Sequence, residues 1–240
     1  MQFSTMNESH LHKTIKLLYA EQYEAQTEVE ENGYIYDIKN KNQIIEIQTK
    51  NLAKLLPKIM DGLERNENVI LVHPIPVETR ILLKDEKEEK ISNRKSPKKM
   101  SIYSVFRELT GIYPILLNPQ FTLEILQVKI TEERMRTNSP VQSKNRRRRF
   151  CKNWIKTGKH LDEIICTQKF NSSKDYISLL PKELPEKFTA KDLSLLLKEK
   201  NLVQGAASLN TAHLMIWVLT RMELIEQCGT KNKSRLYKIK

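Results

Sequence analysis

The chain has 240 residues, 39% hydrophobic and 29% charged, with a formal net charge of +12. That length supports one large or two modest domains with real cores, and that balance excludes a disordered chain. No apolar run reaches the roughly 20 residues of a membrane span, the start lacks a signal peptide's basic and apolar segments, and Cys151, Cys166 and Cys228 offer no metal-ligand spacing, so a cytoplasmic protein without a membrane partner is expected.

A helix is predicted over 7–23, with Asn7 as N-cap, Glu8 in the first turn and Leu11, Ile15 and Leu18 on one face. His12 and Lys16 share a side of it, whereas His10 and His12 do not. A short strand near Glu28 and Val29 precedes YIYDIKNKNQIIEIQT, which reads as strands 34–38 and 44–49 joined by a polar turn. With the turn centred between Lys41 and Asn42, Ile38 pairs with Ile45 and Asp37 stands opposite Glu46. Side chains alternate along strands, so Asp37, Glu46 and Gln48 share a face. Opposed carboxylates about 5 Å apart repel unless a cation sits between them, and Mg²⁺ or Mn²⁺ would relieve that repulsion. The alternative is an ordinary amphipathic hairpin with Asp and Glu facing solvent.

Asp37 followed on the next strand by Glu46-Ile47-Gln48 resembles the PD-(D/E)XK motif of the restriction-endonuclease-like nuclease superfamily. The predicted order of elements, from the Glu8 helix through both hairpin strands to a helix and a further strand, is similar too. More narrowly, the IEIQT strand, Leu11-His12 and LVHPIP resemble an uncharacterised bacterial family of nuclease-like proteins along the length of the chain. The resemblance implies an α/β fold, a restriction-endonuclease-like mixed sheet flanked by helices. It also implies Asp37 and Glu46 as metal ligands, Gln48 as the residue that orients water, and Glu8 as a further metal contact. Two positions depart from the motif: Tyr36 stands for Pro and Gln48 for Lys. An amide orients water by hydrogen bonds but brings no positive charge, and Lys50 is the nearby cation that would stand in.

A helix from about residue 51 follows, capped by Thr49 or Asn51, with Leu52, Leu55, Leu56, Ile59 and Leu63 on its apolar face. Pro57 either kinks it or opens it after a short turn. Strands are predicted at 69–72 and 77–83, with His73 either facing the site or structural. Residues 84–99 read as a connector or a long-tipped hairpin, 101–109 as a helix and 121–130 as a strand, which completes a nuclease-like domain over 1–135.

Charge then changes character. Residues 1–68 carry eleven acids and eight bases, whereas 134–159 hold ten Lys or Arg and no acid. Such a block attracts polyanions by counterion release. Its centre, Arg146, Arg147, Arg148 and Arg149 before Phe150 and Trp154, is a candidate nucleic-acid contact with Lys50. Residues 136–185 are read as a basic linking region with short strands, one at 164–170, and a helix at 173–180. Residues 186–240 read as a separate unit: a helix capped by Thr189, a break at Gly205, a helix over 208–222, and strands 224–228 and 235–239. Two helices and a basic hairpin resemble a winged helix-turn-helix domain, which implies DNA contacts from Asn210, His213, Lys231, Lys233 and Arg235; such units also dock proteins.

The combined expectation is a metal-dependent nuclease acting on phosphodiester bonds in DNA. The alternative is a catalytically inactive, nuclease-like DNA-binding or regulatory protein. A homodimer is compatible with either.

Overall fold

The computed structural model describes residues 9–142, 149–203 and 207–240. Glu8, Arg146, Arg147, Arg148 and Gly205 lie outside the described residues. Among those described, no helix is long and apolar enough to cross a membrane.

Helix α1 (His10–Gln22) is capped by Ser9, whose hydroxyl accepts from the His12 N–H at 3.3 Å. Ser9 thus takes the role expected of Asn7. The helix buries Leu11, Ile15 and Tyr19. Lys16 is buried with them and reaches Glu28 at 2.9 Å, which rotates the covered face and leaves Leu18, expected inside, 43% exposed.

Strands β1 (Gln26–Glu31), β2 (Tyr34–Asn40) and β3 (Gln43–Ile47) form an antiparallel meander. The β2–β3 turn is Lys41-Asn42, with Ile38 opposite Ile45 as the sequence predicts. A 3₁₀ turn (Leu52–Leu55) then leads into α2 (Leu56–Glu64), so Pro57 lies in a first turn and kinks nothing. This helix seats closely on the sheet at Gly62, where a Cβ would come within 2.6 Å of Ile44 Cδ1.

The strands expected at 69–72 and 77–83 are one, β4 (Asn68–Lys84), with a register shift between Pro76 and Glu78. β4 runs parallel to β3 as far as Ile47↔Val72, and β5 (Lys90–Lys95) pairs with it again only from Arg80↔Lys95. Pro74 and Pro76 fall in the gap between those partners, where a missing N–H breaks no ladder on that side. Residues 84–99 therefore make a hairpin, the second of the two sequence readings.

After the short helix α3 (Phe106–Leu109) come β6 (Phe121–Val141), parallel to β4, and β7 (Lys152–Phe170), antiparallel to β6. The sheet order is β1-β2-β3-β4-β6-β7, with β5 beside β4. The short strands expected within 136–185 are instead parts of strands 21 and 19 residues long, and residue 135 lies in mid-strand. Beyond the region covered by α1 and α2, the outer parts of β4, β6 and β7 continue with β5 as an arm about 30 Å long.

The chain ends with α4 (Ser173–Ile177), α5 (Ala190–Glu199), α6 (Ala207–Arg221) and the hairpin β8 (Ile225–Lys231) and β9 (Ser234–Ile239). Thr189 and Asp192 cap α5 reciprocally, and Phe188 bridges to Tyr237 as a third, minimal strand. The buried residues of this region are continuous with those of the sheet. One apolar cluster runs from Leu71 and Leu123 through Phe106 and Leu109 to Leu197, Met215 and Leu219. A second fills the opposite face of the sheet, beneath α1.

Candidate functional site

The β2–β3 ladder runs from Asn40↔Gln43 to Ile38↔Ile45, and at the next step two side chains take over its bonding. The Asp37 N–H donates to Glu46 Oε1 at 3.2 Å, and the Ile47 N–H donates to Asp37 Oδ2 at 2.9 Å. Both carboxylates therefore sit in the fork where the strands part, fixed by the backbone of the opposite strand.

Each also has a cationic or ionisable neighbour from a helix. His12 Nε2 lies 3.1 Å from Asp37 Oδ2, and Lys58 of α2 places Nζ 2.5 Å from Glu46 Oε1. Lys58 is held further by the Ile35 carbonyl and by the Tyr36 ring, 4.9 Å away. Asp37 Oδ1 and Glu46 Oε2 accept none of these bonds.

The two carboxyls titrate apart. Burial works to raise Asp37, but the His12 hydrogen bond and charge, the Ile47 N–H and Lys58 outweigh it and hold the group below its ordinary value. Glu46 is 2% exposed, and burial together with the Asp37 charge pushes it up to about 7 despite Lys58. Their surroundings thus push the two proton affinities in opposite directions, an effect of environment rather than residue type.

Gln48 follows at the end of β3, half-buried, with its main chain fixed on both sides. Its N–H donates to Val72 O at 2.9 Å, and its carbonyl accepts from His73 Nδ1 at 2.6 Å. Buried His73 is pushed below the ordinary histidine range by desolvation. Its role here is to anchor the strand that carries Gln48.

Asp37 and Glu46 are hard oxygen donors, and a divalent ion that keeps several waters needs only one or two such groups. Among the described residues no group of three or more His, Cys, Asp or Glu side chains is arranged to hold a metal. The donor set fits a two-carboxylate site, with Lys58 already close to one member.

Sequence reasoning did not single out Lys58 and gave His12 no carboxylate partner. A lysine on the helix after the EIQ strand was the available clue for the first. The second depends on how α1 crosses the hairpin, which no local pattern encodes. Lys50 is exposed just past β3, and Arg149 is exposed near the Phe150 ring, 5.4 Å away. Asn210 and His213 are exposed on α6, and Lys231, Lys233 and Arg235 are exposed on the β8–β9 hairpin. No hydrogen bond or ion pair among the described residues joins these to the carboxylate pair. Farther along α6, Trp217 meets Tyr113 edge-on at 5.4 Å, so that end of the helix rests on the body of the protein.

The molecule is a mixed α/β protein whose large sheet is flanked by helices. Residues 9–171 match the family described as Domain of unknown function (DUF8091), and the chain belongs to it. That span takes in α1 through β7 and the carboxylate fork. The chain is also similar to an uncharacterized protein of Treponema pallidum (strain Nichols), 29% identical over 195 residues that cover 81% of this chain and 74% of that protein. No solved structure matches the chain.

Proposed function

We propose that the chain is a metal-dependent nuclease that hydrolyses phosphodiester bonds in DNA, with Asp37 and Glu46 as the metal-holding carboxylates. The observation that carries this reading is their meeting in the fork of β2 and β3 with divergent proton affinities. A bound Mg²⁺ or Mn²⁺ supplies a water of lowered pKa and neutralises charge on the phosphate.

The protein's own groups do the rest. Asp37, kept ionised, offers Oδ1; Glu46 gives up its proton as a cation approaches. The Gln48 amide orients water by hydrogen bonds. Lys58 supplies the positive charge that Gln48 lacks, from a helix rather than from the strand. The restriction-endonuclease-like reading of the sheet belongs to this proposal, as does a winged-helix reading of α5, α6 and the β8–β9 hairpin. In the latter, Asn210, His213, Lys231, Lys233 and Arg235 face DNA.

A second reading, a nuclease-like DNA-binding protein that does not cut, is favoured by one observation: the Lys58 ammonium already serves as counter-ion to Glu46. Cleavage of supercoiled, linear and branched DNA with Mg²⁺ or Mn²⁺ separates the two. Cutting that needs metal and is lost in folded Asp37→Asn and Glu46→Gln variants establishes the nuclease. Salt-dependent binding by wild-type protein without cutting of any of these substrates selects the second reading.

A further inference from the structure

One face of the arm carries a row of cations that the carboxylate site does not use. The β6–β7 register places Glu132 opposite Lys159, Arg134 opposite Lys156 and Arg136 opposite Trp154, with Lys152 farther out. Residues paired across antiparallel strands share a face, so these side chains line one surface. Its one acid in this set, Glu132, is bonded to both Arg134 and Lys156. No carboxylate among the described residues makes an ion pair with Arg136, Lys152 or Lys159.

The row is held in place. The Arg134 guanidinium lies 3.8 Å from the centre of the Trp154 ring, and Lys152 Nζ lies 5.2 Å from it. At its inner end Lys159 is half-buried, and desolvation with the neighbouring charges of Lys156 and Lys50 pushes it down to about 8. Lys50, just past β3, links this inner end to the strand of Glu46; along β4 the Lys159 rung, level with Ile81, lies about 30 Å from Glu46, which is level with Leu71. The opposite face, with Glu78, Arg80, Lys95, Lys129, Glu133 and Glu163, mixes both signs and pairs most of them.

We infer that the Lys159, Lys156, Arg134, Arg136 and Lys152 face of the arm is a track for the phosphodiester backbone of nucleic acid leading away from the carboxylate fork. The inference rests on the nucleic-acid substrate class of the proposed function, not on its chemistry. From the rung of Lys159 to that of Lys152 the strand advances about 23 Å, the span of roughly seven nucleotides at 3.4 Å each. A single row along two paired strands, arginine among its members, suits a polymer of phosphates better than a lipid surface, which offers no preferred line. The track holds substrate several nucleotides from the site, so it governs affinity and the length of substrate engaged.

The test is binding to labelled duplex DNA of about 30 base pairs in EDTA, across a salt series, in an Asp37→Asn background so that cutting plays no part. Arg136→Gln, Lys152→Gln and Lys156→Gln together should lower the slope of log affinity against log salt by about 2.7, at 0.9 per phosphate contact, and weaken binding about tenfold or more. Arg80→Gln, Lys90→Gln and Lys95→Gln, on the other face, should leave the slope unchanged. If the first triple variant loses its native circular dichroism, Arg136→Gln and Lys152→Gln singly should each remove about one unit. Equal effects from both faces, or no change of slope from the first, overturn the track. Displacement of the duplex by phosphatidylserine vesicles at matched charge also overturns it, in favour of a membrane surface. A slope difference retained by a protein that never cuts DNA keeps the track and removes the nuclease.

Discussion

The Asp37 N–H donates to the Glu46 carboxylate at 3.2 Å, so the strand bearing one acid is tied to its neighbour through the side chain of the other. Proximity of the two charges is part of what raises Glu46 to about 7, second to burial. A carboxyl raised on folding binds more protons in the native than in the unfolded state. Its contribution to stability is therefore present at acid pH and is lost as pH rises through about 7. Asp37, lowered on folding, works in the opposite sense, contributing above its unfolded value and losing that contribution as pH falls. Carboxyl ¹³C titration by NMR should show one group titrating near neutrality, absent in Glu46→Gln. Added Mg²⁺ should move that transition to lower pH, because a cation favours the ionised form. A Glu46 resonance that titrates in the ordinary carboxylate range without metal removes the basis of this prediction.

Lys58→Met should uncover the cost of the buried Glu46 charge. Removing one partner of a buried pair costs about 3–5 kcal/mol when the other stays charged. Below pH 7 Glu46 escapes by taking up a proton, so urea denaturation should show a small loss at pH 6 and a larger one at pH 8. DNA cleavage, where the wild type cuts, should fall about a hundredfold on loss of the charge beside the carboxylates. A loss of stability independent of pH would mean that Lys58 acts only through packing on Tyr36.

The hairpin was legible because its determinants are local. A polar turn at Lys41-Asn42 and alternation on both sides fix the register, and the register brings Asp37 to Glu46. Long-range features were not. β4 reads as two strands because Pro74 and Pro76 interrupt it, and only the absence of a neighbour between the end of β3 and the start of β5 makes them tolerable. The outer parts of β6 and β7 read as a linker because an arm with two solvent-facing sides needs no alternation of apolar residues to hold it. Lys58 and His12 reach the site from different helices, a relationship set by packing on opposite faces of the sheet.

His12→Ala should raise the Asp37 transition, since the imidazole is the largest of the influences that lower it. The loss of one partly buried hydrogen bond to a carboxylate should cost about 1.5–3 kcal/mol. His12→Gln, which keeps a donor without the positive charge, should recover part of both effects. The check is NMR titration of Asp37 beside chemical denaturation of each variant. An unmoved Asp37 transition in His12→Ala would place its control in the Ile47 N–H and Lys58.

Ending the chain at residue 172 should not release an independently folded nuclease-like domain. Sequence composition invites that cut, and the family match ends at 171. Yet Phe106 and Leu109 belong to the same buried cluster as Leu197, Met215 and Leu219, and Tyr113 packs on Trp217. Truncation strips the cover from α3 and exposes a broad apolar surface, which favours aggregation. Within the full chain, Leu219→Ala, fully buried, should cost about 2–5 kcal/mol and lower the stability of the sheet as well as that of α5 and α6. Hydrogen exchange resolved by segment is the decisive measurement. Loss of protection shared by β6 and α6 shows one cooperative unit; loss confined to residues 186–240 shows two.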